Sequence, residues 1–253
     1  MDYELIKAHL NLFAVIKNLE DLCACDSEMK EKIRDWDISI QFSVSGGPRA
    51  CVIFKNGECS VVRGKCPSAK VLLYFTSPAH LNKMFDGKAN PIPLKGLTKL
   101  KFLTKDFPVL TEKLEYYLKP TDALLKNSDY LALNTRLTIN TAAFATAELA
   151  EMDPVGIIAA SHMRDGDLLI KVLPDGPSAH VNFEKGRARA RKGDAARPMS
   201  AMLFKNLAVA NAMLNQKVDA FTAVALGDVM LRGQIGMIDS LGLILDRIPV
   251  YLQ

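Results

Sequence analysis

The side chains able to do covalent chemistry are few, and their spacing suits none. Four histidines, His9, His80, His162 and His180, stand outside any nucleophile-and-base arrangement. His9 falls on the apolar side of a helical pattern, where a satisfied structural histidine is the plain reading. Cys23, Cys25, Cys51, Cys59 and Cys66 all lie in the first half of the chain. No two have the Cys-x-x-Cys spacing of a zinc knuckle, so no metal site is expected. Cys51 and Cys59 are expected to face each other across a hairpin. The chain lacks a Gly-x-Ser-x-Gly elbow, a phosphate-binding P-loop, a dinucleotide fingerprint and a His-Glu-x-x-His pair. Gly46-Gly47-Pro48 leads into a strand pattern, and its proline removes an amide donor that a phosphate cradle needs. These readings point away from an enzyme and call for no cofactor.

One polar cluster is regularly spaced. Arg187, Arg189 and Arg191 alternate with Ala188 and Ala190, so a strand would place three guanidiniums on one face. The plain reading is a solvated sheet face. The sharper one is a dock for anionic headgroups, a coenzyme A phosphate or an acidic protein, through modest, salt-sensitive contacts.

The elements that would position such groups are organised by an internal repeat. The run Gly47-Pro48-Arg49-Ala50-Cys51-Val52-Ile53-Phe54-Lys55-Asn56-Gly57 returns 129 positions later as Gly176-Pro177-Ser178-Ala179-His180-Val181-Asn182-Phe183-Glu184-Lys185-Gly186. Phe75, Ala79, Asn82, Met84 and Lys88 keep the same displacement to Phe204, Ala208, Asn211, Met213 and Lys217. The displacement then grows to 137, and Leu94-Lys95-Gly96 meets Leu231-Arg232-Gly233. A repeat of this length describes one domain used twice, with eight extra residues in the second copy. The expected domains are 1–119 and 120–253, divided at Lys119-Pro120 and forming an intramolecular pseudo-dimer.

Bulk properties set the remaining bounds. A chain of 253 residues holds two domains of ordinary size. The net charge of +4 is too mild for a nucleic-acid partner. No stretch has the roughly 18–20 consecutive apolar residues of a membrane span. The acidic start Met1-Asp2-Tyr3-Glu4 and the unpaired number of cysteines suggest a cytoplasmic protein with free thiols.

Periodicity predicts an amphipathic helix over 3–22 and a short helix from Ser27, with Ser27 as its cap. Strands follow over 38–44, 50–55, 59–64 and 69–75, with Asn56-Gly57 as a tight hairpin turn. Ser77-Pro78 opens a helix carrying Leu81, Met84 and Phe85. A last strand over 95–102 and a helix over 103–118 close the first copy. The second copy starts with helical pieces over 121–133 and 144–152. Strands are expected at 155–163, 167–173, 199–205 and 228–236, a hairpin matching the first at 178–192, and helices at 206–216 and 237–247.

The apolar residues form the richer inventory. Phe54, Leu81, Met84 and Phe85 in the first copy, and Phe183, Leu207, Ala210, Met213, Leu214, Met237, Leu241 and Leu245 in the second, fall where helices would lie over a sheet. Plain core is one reading. The other is an apolar gap able to hold an acyl chain, at roughly 0.8 kcal/mol per buried methylene, because methionines and small residues leave adaptable space.

This order of elements, with Phe54-Lys55-Asn56-Gly57, Phe183-Glu184-Lys185-Gly186, Leu94-Lys95-Gly96 and Gly227-Asp228-Val229-Met230-Leu231-Arg232-Gly233, resembles the sterol carrier protein (type two) lipid-transfer family in two tandem copies. The resemblance implies an α+β fold, with a mostly antiparallel twisted sheet of about five strands per copy, covered on one side by helices. It implies non-enzymatic binding or transfer of a fatty acid, acyl-coenzyme A or sterol-like lipid between sheet and helices. The face of Arg187, Arg189 and Arg191 suggests transient contact with an anionic membrane surface or a partner protein. The alternative is an interaction module whose pocket is filled by its own side chains.

Overall fold

The computed structural model describes residues 2–252. The chain divides into two compact units, Asp2–Lys119 and the residues from Pro120 onward.

In the first unit, α1 (Tyr3–Leu10) runs through a π-helical turn (Asn11–Val15) and a 3-10 turn (Ile16–Asn18) into α2 (Leu19–Cys25). The expected single helix over 3–22 is thus a rod of three backbone geometries. α3 (Ser27–Ile33) is capped by Asp26, whose Oδ1 accepts from the Met29 amide at 3.0 Å, so Ser27 is its first helical residue rather than its cap. The strands are β1 (Ile38–Val44), β2 (Arg49–Lys55), β3 (Glu58–Arg63), β4 (Val71–Phe75) and β5 (Ile92–Lys95), in the order β3-β2-β1-β4-β5. Only β1 and β4 run parallel. Asn56 and Gly57 both adopt positive φ, as a two-residue hairpin turn requires. α4 (Pro78–Phe85) follows β4, and α5 (Phe107–Leu118) ends the unit. Ile40, Phe42, Val52, Phe54, Val71 and Phe75 share the buried face of the sheet.

In the second unit, α6 (Ser128–Met152) and α7 (Pro154–Ser161) precede β6 (Gly166–Val172), β7 (Ser178–Glu184), β8 (Arg187–Lys192) and β9 (Ser200–Phe204). Then come α8 (Leu207–Leu214), α9 (Ala220–Ala225), β10 (Val229–Gly233), α10 (Ile235–Leu245) and α11 (Ile248–Tyr251). The sheet order β10-β9-β6-β7-β8 repeats the first topology strand for strand, again with one parallel pair, β6 and β9. The fold is α+β, with two five-stranded sheets that are mostly antiparallel, each covered by helices on one side.

Several expectations need correction. The strand over 95–102 stops at Lys95, because Gly96 turns the chain at φ +89° and a 3-10 turn (Leu97–Lys99) follows. The strand over 155–163 is α7. Asp153 caps it by accepting from the Val155 and Gly156 amides, and Pro154 opens its first turn, which outweighs the β-branched run behind them. The two helical pieces at 121–133 and 144–152 are the single helix α6, capped by Asn127. Cys51 and Cys59 do not face each other: Cys51 pairs with Val62, and Cys59 with Phe54.

Candidate functional site

The apolar residues of the helix-facing side divide into two groups. Phe54, Leu81, Phe183, Ala210, Met237 and Leu241 are buried core. Met84 and Phe85 on α4, Leu207, Met213 and Leu214 on α8, and Leu245 at the end of α10 are half-buried. In the second unit α8 packs on α6 and β9, and α10 packs on α6, α7 and β9. The residues in the first group fill the space between sheet and helices, and those in the second reach its margin.

Two polar devices hold the helices over each sheet. Asn82 of α4 and Asn11 of the first rod are both buried, and Asn11 Nδ2 donates to Asn82 Oδ1 at 3.0 Å. Asn211 of α8 repeats this toward α6, donating to Asn134 Oδ1 and, at 3.3 Å, to Thr135 Oγ1. A buried amide left without partners would cost more than the bond itself is worth, so these pairs fix helix position.

The second device is a buried carboxylate. Asp26 takes a hydrogen bond from the Tyr117 hydroxyl at 3.0 Å, with Lys113 Nζ 3.6 Å away. Asp153 takes one from the Tyr251 hydroxyl at 2.7 Å, and Arg247 donates to it from Nη2 at 3.0 Å and from Nε at 3.2 Å. Burial pushes the Asp153 carboxyl up, but donation from Arg247, Tyr251 and the Gly156 amide outweighs it and leaves its pKa below the usual range. Burial, then the bond to Asp153, raises Tyr251 above its ordinary value.

The eight residues found only in the second copy build α9. Asp219 caps it, accepting from the Thr222 amide at 2.8 Å. Ala223 is its single buried side chain, whereas Phe221 is 86% exposed and Leu226, just past its end, 69%. Val218 and Val224 are exposed as well. The first unit passes from α4 to β5 at this place without a helix. Sequence reading located the insertion and missed the helix, although Asp219 before an apolar run is a cap signal.

Arg187, Arg189 and Arg191 are exposed on β8, on the sheet face opposite the one that carries Ala188 against α6. Glu58, Ser60 and Val62 occupy the matching places on β3. The cationic ladder therefore belongs to the second unit alone. The N–H of Ala188 donates to Glu151 at 3.1 Å and that of Val61 to Glu20 at 2.7 Å, so a carboxylate covers part of the outer edge of each sheet.

Among the described residues no cysteine is in a disulfide. Cys51 is buried, and burial with the Cys66 sulfur beside it pushes its pKa up to about 12. Cys25 is exposed. Among the described residues no group of three or more His, Cys, Asp or Glu side chains is placed to hold a metal ion.

No family model and no curated protein matches the chain. Solved structures do. The sterol carrier protein domain 2 of Helicoverpa armigera matches at 15% identity over 46% of this chain and 91% of its own, with a TM-score of 0.36. A structure of sterol carrier protein 2 matches at 20% identity over 44% of this chain and 92% of its own, with a TM-score of 0.33. A stereoselective inverting sec-alkylsulfatase from a Pseudomonas species matches at 14% identity over 58% of this chain and 29% of its own, with a TM-score of 0.26. The chain is thus similar to solved sterol carrier structures over a length no greater than one of its two units.

Proposed function

We propose that the second unit binds a hydrophobic ligand, a fatty acid, acyl-coenzyme A or sterol-like lipid, between its sheet and helices, and that it does so without catalysis. The ligand would lie against Phe183, Leu207, Ala210, Met213, Leu214, Met237, Leu241 and Leu245, beneath α9. The observation that carries this reading is α9 itself. A six-residue helix held by one alanine has little to lose on lifting, and it keeps Phe221 and Leu226 in water at a cost that a buried chain would offset. The first unit has the same sheet and the same asparagine and carboxylate devices but no such cover. Its Phe54, Leu81, Met84 and Phe85 form the degenerate counterpart.

In this reading Arg187, Arg189 and Arg191 are the anion dock, for a headgroup or an acidic membrane surface. Their replacement by serine should reduce binding to vesicles containing anionic lipid; unchanged binding removes the dock. The test of the pocket is displacement of a fluorescent fatty acid from wild type and from Phe221→Ser. Weaker retention in the variant supports the reading, and equal retention denies α9 its role.

The burial of Phe54, Leu81, Phe183, Ala210, Met237 and Leu241 favours a second reading, an interaction module with a filled interior. Failure of wild type to take up any fatty acid would favour that module.

A further inference from the structure

The helix-free face of the second sheet carries an apolar depression. Leu169, Ala201 and Leu203 lie there at only 5–7% exposure and pack with Leu173. With Pro198, Arg232 and Gly233 they line a cleft of about 260 Å³. Register places Arg191, His180, Leu169, Ala201 and Arg232 in one row across all five strands.

The first unit closes the same place. Gln41 stands where Leu169 does, each being paired across the ladder with the residues that match, Cys51 and His180. The Gln41 amide nitrogen lies 2.9–3.1 Å from the carbonyls of Phe42, Ala50 and Gly64, and its Oε1 accepts from the Cys66 amide at 2.6 Å. Leu72 and Tyr74 replace Ala201 and Leu203 with bulkier groups. Lys95, in the place of Arg232, donates to the Ala69 carbonyl at 2.6 Å. In the second unit His180 Nδ1 takes over the Gly193 carbonyl, the counterpart of Gly64, at 3.0 Å. Glutamine is then no longer needed at position 169, and leucine leaves an apolar floor. Arg232 is exposed, and its Nε donates only to the weak acceptor Met230 Sδ, at 3.1 Å. Asp194 is held by Lys171 and Asp167 by Asn182.

We infer that this cleft is a binding site for a medium-chain aliphatic carboxylate, its chain on Leu169, Ala201 and Leu203 and its head on Arg232. A guanidinium matches a carboxylate in shape and charge. At about 260 Å³ the cleft is smaller than the roughly 300–1,000 Å³ of ordinary ligand pockets, which suits a short chain and not a whole lipid. The site lies on the sheet face opposite Phe183, apart from the proposed lipid site, and stands whether or not that site takes a ligand.

The probes are octanoate and octan-1-ol, titrated into isotope-labelled full-length protein and followed by NMR. Octanoate is expected to shift Leu169, Ala201, Leu203 and Arg232 resonances. Arg232→Gln should weaken octanoate about fivefold, in keeping with an exposed charge-assisted bond, and leave octan-1-ol unchanged. Ala201→Phe should abolish both; should that variant not fold, Arg232→Gln alone decides. Equal binding of acid and alcohol, no response to Arg232→Gln, or an absence of shifts on this face overturns the site. Shifts confined to Met213, Leu241 and α9 would overturn it too while leaving the lipid pocket intact.

Discussion

The Tyr251 hydroxyl lies 2.7 Å from Asp153 Oδ2, joining the last helical turn to the cap of α7 across 98 residues of sequence. The same bond joins Tyr117 to Asp26 in the first unit, at 3.0 Å across 91 residues. In each copy one carboxylate caps a helix and anchors the C-terminal segment, so both tasks fail together when it is lost. Tyr251→Phe should destabilise the second unit by about 1.5–3 kcal/mol, the loss of one bond to a charged group. Asp153→Ala should cost about 3 kcal/mol, since a cap is lost as well. Urea unfolding measures both.

The same carboxylate sets a pH dependence. The Asp153 pKa is depressed in the fold, so its stabilisation is complete above the unfolded value of roughly 3.9 and is lost as pH falls through the lower folded value. Tyr251 acts in the opposite sense. Its raised pKa keeps its contribution whole below roughly 10, and the contribution is lost as pH rises through the higher folded value. Stability of Asp153→Asn measured from pH 5 down to 2 should fall less steeply than that of wild type. Parallel acid limbs would contradict the assignment.

The asparagine pairs should show coupling. Asn82→Ala leaves the buried Asn11 amide short of a partner and should cost about 2–3 kcal/mol. Asn11→Ala with Asn82→Ala together should cost less than the sum of the single changes. The cycle at Asn134 and Asn211 should behave alike, and strict additivity in both cycles would deny that these pairs position the helices.

Gly96 and Gly233 end the last strand of each sheet at φ +89° and +85°. A Cβ at Gly96 would lie 2.8 Å from the Lys70 carbonyl oxygen, and one at Gly233 would strike the Met199 carbonyl. Alanine at either place should lower stability by about 2 kcal/mol or more, well beyond an ordinary glycine change. Thermal unfolding of the two variants checks this.

Thiol reactivity should follow exposure and ionisation. At pH 8 Cys25 should be alkylated early, whereas Cys51, held protonated at a pKa of about 12, should react only on unfolding. Mass mapping of labelled peptides over time reads the order.

The duplication was legible because turns and strand faces kept their register: Phe54 with Phe183, and the positive-φ turns at Asn56-Gly57 and Lys185-Gly186. The polar devices were less so. Asn82 and Asn211 keep the common displacement, but their partners Asn11 and Asn134 lie in first helices of different length, which breaks the alignment. α7 read as a strand because Val155, Ile157 and Ile158 favour extended backbone, while Asp153-Pro154 carried the helix signal. The cleft on the helix-free face was hidden because its row, from Arg191 to Arg232, is assembled by strand pairing across the whole sheet.

The proposed binding of a lipid by the second unit is tested most directly by native mass spectrometry of the full chain, purified without detergent and then offered a long-chain fatty acid. One ligand should be retained per chain, and labelling of bound photoreactive fatty acid should fall on α8, α9 and α10. A chain that carries no adduct, before or after loading, contradicts lipid binding by the second unit.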